Sequence, residues 1–146
     1  MGNTVLKFDS GFLPRANEAG ITVLSWNIGF HNGSKPAAQT YEFATHGQLA
    51  ITRRADGVTP LLLRHCLNGR EVPRATLAVA GEDGNPALRL TLEGVIIASY
   101  DVAGDGAGMP LETIGLAYRK ITVAAPGPRE TSVPDVFHDL VRQEVG

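Results

Sequence analysis

The stretch Leu88-Arg89-Leu90-Thr91-Leu92-Glu93-Gly94-Val95-Ile96-Ile97-Ala98-Ser99-Tyr100 decides the class of fold. Its first six residues alternate apolar and polar, the period of a strand with one face on a core and the other in water. Val95 to Tyr100 continues with apolar residues on both faces. Gly94 between the halves predicts a bulge or bend that re-aims one long strand, as a small barrel needs. The same period of two recurs on either side. Ile21 to Phe30 reads as a strand with Leu24, Trp26, Ile28 and Phe30 on one face and Ser25 and Asn27 on the other, Trp26 being expected in the core. Ile114, Leu116 and Tyr118 alternate with Gly115, Ala117 and Arg119, and Ile121 to Val123 extends that strand. Tyr41 to Arg53, Arg74 to Val79 and the shorter Val5 to Phe8 complete the set. Glu82-Asp83-Gly84-Asn85 reads as a hairpin turn, because Gly and Asn tolerate positive φ. The expectation is a mainly all-β barrel or sandwich.

Two segments have helical character. Thr59 is placed to cap a short α-helix over about 59–68, and Pro60 suits its first position, where a missing N–H costs nothing. Leu62/Cys66 and Leu63/Leu67 are i, i+4 pairs that turn a face to a core. Asn68-Gly69 supplies a left-handed exit, and Arg64 and His65 lie near the C-terminal end, where the helix dipole favours them. Pro134-Asp135 can open a second short helix, with Val136, Phe137, Leu140, Val141 and Val145 at helical spacing. Such a helix needs a surface to dock on.

The 146 residues carry 13 Lys+Arg against 15 Asp+Glu (13 − 15 = −2) and 43% hydrophobic residues. That is enough chain for one packed domain without staples. Lone Cys66 excludes an internal disulfide framework and a multi-cysteine zinc site. The near-neutral balance speaks against a protein that coats nucleic acid by charge. No run of about 20 apolar residues exists to insert in a membrane, and the start lacks a basic region followed by an apolar core, so no cleavable signal peptide is expected. His65-Cys66 are helix neighbours about 100° apart and do not face each other as base and nucleophile, so Cys66 reads as a small core residue and His65 as a solvated one. His31, His46 and His138 lack metal-ligand spacing. Gly104-Asp105-Gly106-Ala107-Gly108 is followed by Met109-Pro110 and a strand, and so reads as a hairpin loop and not as a phosphate cradle. Asn32-Gly33-Ser34 reads as a turn, and Arg53-Arg54 as a solvated strand end or a pair to an acidic neighbour in an oligomer. No catalytic, cofactor-binding or metal-binding set is expected.

Taken in order, these parts resemble the haemolysin-coregulated protein (Hcp) family of the bacterial type VI secretion system. The carriers are Val23-Leu24-Ser25-Trp26-Asn27-Ile28-Gly29, then Ile51-Thr52-Arg53-Arg54-Ala55-Asp56-Gly57-Val58-Thr59-Pro60-Leu61-Leu62-Leu63-Arg64-His65-Cys66 and Asn68-Gly69-Arg70. Leu88 to Ser99, the Gly104–Gly108 loop and Glu112-Thr113-Ile114-Gly115-Leu116-Ala117-Tyr118 complete them. The resemblance implies a two-sheet β-barrel over residues 1–127, with 128–146 as a tail. It implies a non-enzymatic homo-oligomer: hexameric rings stack into a tube inside a contractile sheath, capped by a spike protein, and some members carry small effectors in the lumen. It also implies a subunit assembled in the cytoplasm that leaves by the type VI route. Under this reading Phe30, His31, Asn32, Gly33, Ser34, Lys35 and Pro36, within a loop running to Gln39, and Gly104, Asp105, Gly106 and Gly108, within one running to Pro110, form inter-subunit loops. Thr59, Pro60, Leu62, Leu63, Cys66 and Leu67 belong to a helix on the barrel wall. The sequence departs from the family at Asp9 to Pro14, at Leu77 to Gly81, in the short 31–39 loop and in the Pro134-led ending. A phage-like tail tube protein and a monomeric barrel for a small apolar ligand are the alternatives.

Overall fold

The computed structural model describes residues 4–9, 11–17, 19–35, 37, 45–81, 84–125, 134–139 and 144–145. The strands are β1 (Thr4–Phe8), β2 (Ile21–Thr22), β3 (Ser25–Asn27), β4 (Phe30–His31), β5 (Thr45–His46), β6 (Leu49–Arg54), β7 (Glu71–Ala80), β8 (Pro86–Ala103), β9 (Leu111–Ala117), β10 (Lys120–Ala124), β11 (Val136–Asp139) and β12 (Glu144–Val145). Helix α1 spans Thr59–Asn68, and a single 3-10 turn spans Arg15–Asn17. The all-β class with one α-helix holds.

Strand β8 organises the rest. Its first half pairs with β7 on one side (Leu77 opposite Leu90) and with β10 on the other (Ile121 opposite Leu92). Its second half pairs with β9, Tyr100 opposite Ile114 and Ala103 opposite Leu111. Gly94, at φ 63°, sits between the last β10 partner, Glu93, and the first β9 partner, Ile96. The facing chain breaks at the same level, where Tyr118 and Arg119 separate β9 from β10 and the Arg119 N–H donates to the Glu93 carbonyl at 2.9 Å. A Cβ on Gly94 would lie 3.2 Å from that of Arg119, so the bend needs glycine for both conformation and space. At the expected hairpin turn Gly84 is at φ 82° and the Gly81 N–H donates to the Asn85 carbonyl at 2.8 Å, while Glu82 and Asp83 lie outside the described residues.

Among the described residues the ladder does not close into a barrel. Its main path runs β12-β11-β10-β8-β7-β1-β2, while β9 carries β6 and β6 carries β3. Between β2 and β3 the covalent chain makes the crossing: the Val23 N–H donates to the Thr4 carbonyl at 2.9 Å and the Leu24 N–H to the Thr52 carbonyl at 2.8 Å. The expected strand Ile21 to Phe30 is therefore cut into β2, β3 and β4, because its three parts pair with different neighbours, β1, β6 and β5. Among the described residues, strand β4 pairs with β5 in a separate two-stranded ladder. Of the expected Tyr41 to Arg53 strand, residues 41–44 lie outside the described residues.

Inward residues of these strands fill the interior. Leu6, Leu77 and Leu92 do so in one half, and Leu49, Ile51, Ile114 and Leu116 in the other, all fully buried. Each such side chain contributes on the order of 1.5–3 kcal/mol of transfer free energy. Only part of the apolar face of Ile21 to Phe30 joins this core, through Trp26 and Ile28, which pack against it. Leu24 and Phe30 are 50% and 53% exposed, with Trp26 and Ile28 half-buried between them.

The ending overturns the helical reading. Val136–Asp139 is a strand on the open edge of β10, with Thr122 opposite Phe137, and Glu144–Val145 pairs onto it in turn. A β-branched and an aromatic residue gain more from completing an existing ladder than from an isolated turn of helix with its nucleation cost. Leu140 and Val141 lie outside the described residues.

Candidate functional site

Strand β6 places Leu49, Ile51 and Arg53 on its inward face, so the third core position is a guanidinium. Register sets it opposite Glu112 of β9. Both are buried, Arg53 to 3% exposure and Glu112 to 0%. Arg53 Nη1 donates to Glu112 Oε2 at 2.8 Å, and Nη2 donates to Asp56 Oδ2 at 2.6 Å. The Thr59 hydroxyl donates to Glu112 Oε1 and accepts from the Asp56 N–H at 3.0 Å. Burial alone would push the Asp56 carboxyl upward, but Arg53 and the Val58 N–H outweigh it and hold it below the usual carboxylate range. Burial likewise opposes the Arg53 charge, and the two carboxylates more than compensate. Burial beside Glu112 holds Tyr100 ionisation above the usual tyrosine range.

This cluster ties β6, β9 and the start of α1 together, and it corrects two expectations. Arg53 is a buried pair within one chain and not a solvated strand end; Arg54 is the exposed one. Thr59 does not cap the helix. Val58 occupies that position without a side-chain cap bond, and Asp56 Oδ1 accepts the Val58 N–H at 2.9 Å instead. Pro60 stands in the first turn, and Gly69 makes the left-handed exit at φ 64°. The helix buries Leu62 and His65 and half-buries Cys66, while Leu63 and Leu67 are 38% and 79% exposed. His65 is thus not solvated. Its Nε2 lies 2.8 Å from the Phe12 carbonyl oxygen, with the two rings 4.0 Å apart. Its other ring nitrogen, Nδ1, is buried and makes no hydrogen bond among the described residues, to Cys66 or to any other group. Among the described residues no group of three or more His, Cys, Asp or Glu could hold a metal ion.

The two expected loops lie at opposite ends of the molecule. Gly104–Pro110 joins β8 to β9, and its base is fixed where the Ala55 N–H donates to the Pro110 carbonyl at 2.9 Å. Asp105 Oδ1 accepts the Ala107 N–H at 2.9 Å, which lowers the Asp105 carboxyl pKa, and Gly106 stands at φ 82°. Beside this loop Leu24, Arg54, Met109 and Leu111 line a cleft of about 480 Å³. A second cleft of about 450 Å³ shares Leu24, Arg54 and Met109. At the other end Phe30 and His31 form β4, Asn32 Oδ1 accepts the Ser34 N–H at 2.8 Å, and Gly33 is half-buried beside exposed Lys35. Pro36, Ala38 and Gln39 lie outside the described residues. Here Phe30, Ile121, Val123, Val136, Phe137 and Val145 line an apolar groove of about 330 Å³. The Lys120 ammonium sits 4.5 Å from the Phe137 ring centre. The sequence reading missed the tail's share of this groove, and it missed Arg53, which the alternation Leu49, Ile51, Arg53 could have flagged.

A family model described as type VI secretion system effector, Hcp, matches residues 14–124, well over half the chain. The chain belongs to the Hcp family. Solved structures share its fold: Hcp1 from Salmonella typhimurium at 20% identity, TM-score 0.80 and 99% of each chain covered, and a type six secretion system protein at 19%, 0.86 and 100% of each. A type VI secretion system effector from Yersinia pestis aligns at 22% identity and TM-score 0.74, over 93% of this chain and 98% of that one. A comparison with curated proteins returned no match. Among the described residues of this Hcp family member, no helix is long and apolar enough to cross a membrane.

Proposed function

We propose that this Hcp family member is a structural, non-enzymatic subunit of a type VI secretion inner tube, in which six copies form a ring and rings stack around a hollow axis. The observation that carries the reading is apolar surface left over after the core is complete. Leu24, Met109 and Leu111 at one end, and Phe30, Val136 and Val145 at the other, are 42–69% exposed, although the interior already holds its leucines and isoleucines. Clustered apolar exposure of this kind is costly in a solitary soluble chain and marks surfaces that associate. Among the described residues the ladder ends at β12, an edge onto which a second copy can add. Secretion by the type VI route, contact with spike and sheath, and small effectors in the lumen follow from the same reading. A monomeric ligand barrel fits less well, since the large apolar groove is at the surface and packed side chains fill the interior. Light scattering and negative-stain microscopy of the purified chain test the proposal. Annular hexamers are expected, and a strict monomer at high concentration with no rings overturns it.

A further inference from the structure

Residues 11–17 form a strap that leads from β1 to β2 and lies against α1. Phe12 and Leu13 are buried in it, and the Asn17 N–H turns back to the Pro14 carbonyl at 2.8 Å. Among the described residues, one hydrogen bond ties this strap to an element beyond β1 and β2, from His65 Nε2 to the Phe12 carbonyl. A carbonyl only accepts, so Nε2 carries the ring proton and Nδ1 is bare. Nδ1 is buried and has no hydrogen-bond partner. The seat suits the neutral imidazole alone, since a second proton would place a cationic N–H where nothing accepts it.

No opposite charge stands by to hold that proton. The carboxylates beside the strap and on the elements next to α1 are Asp9, Glu71, Glu93 and Asp101, and none bonds to His65. Asp56, before the start of α1, is taken by Arg53. The cations there are Arg15, Arg64, Arg70, Arg74 and Arg89. Arg70 already sits over the Phe12 ring that stacks on His65, its Cζ 5.4 Å from the ring centre. We infer that His65 is the acid-sensitive catch of this strap: a ring that takes a second proton leaves its seat, and residues 11–17 come away from α1. A freed imidazole takes up its proton near pH 6.5, so acid favours the released strap, and attachment is complete above that pH and weakens below it. Beyond the strap's own core contacts, Asn17 and Gly20 line the cleft that also holds Arg54 and Met109. Release therefore alters the end of the molecule that carries the Gly104–Pro110 loop. The device lies within one subunit and does not depend on copies assembling.

Amide hydrogen exchange of the full chain at pH 7.5, 6.5 and 5.5, corrected for the intrinsic pH dependence of exchange, tests this. Protection of residues 11–17 should fall about tenfold from pH 7.5 to 5.5, the factor for one proton bound on release, while β8 keeps its protection. The nuclear Overhauser contact between the Phe12 and His65 rings should fade over the same range. His65→Gln keeps an N–H for the Phe12 carbonyl and does not titrate there, so its strap should stay protected at all three pH values. The parent measurement decides by itself where that variant fails to fold. Strap protection in the parent that stays constant down to pH 5.5 overturns the inference. So does a loss shared equally by β8, which is global unfolding, or an equal loss in His65→Gln. Ring assembly is read separately by light scattering, so either result leaves the tube reading to its own test.

Discussion

Replacing Glu112 with Gln keeps the side-chain shape and removes one negative charge from a site with no solvent exposure. The Arg53 guanidinium, 3% exposed, would be left with Asp56, whose own side chain is 52% exposed. Breaking one partner of a buried ion pair costs about 3–5 kcal/mol, because the other charge stays desolvated. Gln retains an oxygen for the Thr59 hydroxyl, which favours the lower end, about 3 kcal/mol. With an unfolding entropy of roughly 2.1 cal/mol/K per residue, that loss lowers Tm by about 10 °C for a chain of this length. The melt must be run at fixed protein concentration, since assembly shifts apparent stability by mass action. A control sharpens the result: Arg53→Met with Glu112→Leu removes both charges and should melt closer to the parent than Glu112→Gln does. A Glu112→Gln melt within about 2 °C of the parent would refute the argument, since the guanidinium would then have found water or another partner at little cost.

Gly94→Ala should lower stability by about 1–2 kcal/mol, from the left-handed backbone alone, with the Arg119 contact adding to it; a urea midpoint unchanged from the parent would contradict the bend. The Asp56 carboxyl titrates below its unfolded value, so its contribution is complete above about pH 4 and is lost as the pH falls further. The stability gap between the parent and Asp56→Asn should therefore narrow between pH 5 and pH 2, and a constant gap would show that Asp56 does not contribute through its charge. Tyr100 and Tyr118 titrate above the ordinary tyrosine value, so the stability they give is full below about pH 10 and declines above it. Absorbance near 295 nm should register their ionisation only together with unfolding, and tyrosinate from both in a chain still folded by circular dichroism would count against their burial.

The strands legible in the sequence were those whose two faces meet different surroundings. Leu88 to Glu93 and Ile114 to Tyr118 alternate because one side meets the core, and the bend at Gly94 could be read because only glycine tolerates that backbone beside Arg119. Helix α1 announced itself through Pro60 and Gly69, which act within a single turn. What could not be read depends on partners distant in the chain. Leu24 and Phe30 carry a core-like pattern yet are about half exposed, while Trp26 and Ile28 of the same face pack against the core. Val136, Phe137 and Val145 fit a helical period, and only the vacant edge of β10 decides for a strand. Arg53 and His65 look like surface residues until Glu112 and the Phe12 carbonyl, both more than 50 residues away, are brought against them.

Strand β8 has a mechanical meaning. It is one uninterrupted covalent span of 18 residues, and both ends of the molecule hang from it. A thrust delivered at the Met109 loop and resisted at the β10–β11 edge runs along its axis, while its hydrogen bonds to β7, β9 and β10 lie across the load. Such bonds yield in concert by sliding and not one after another by peeling, which makes the subunit stiff along the axis of β8. The kink at Gly94 is where that spar would buckle first.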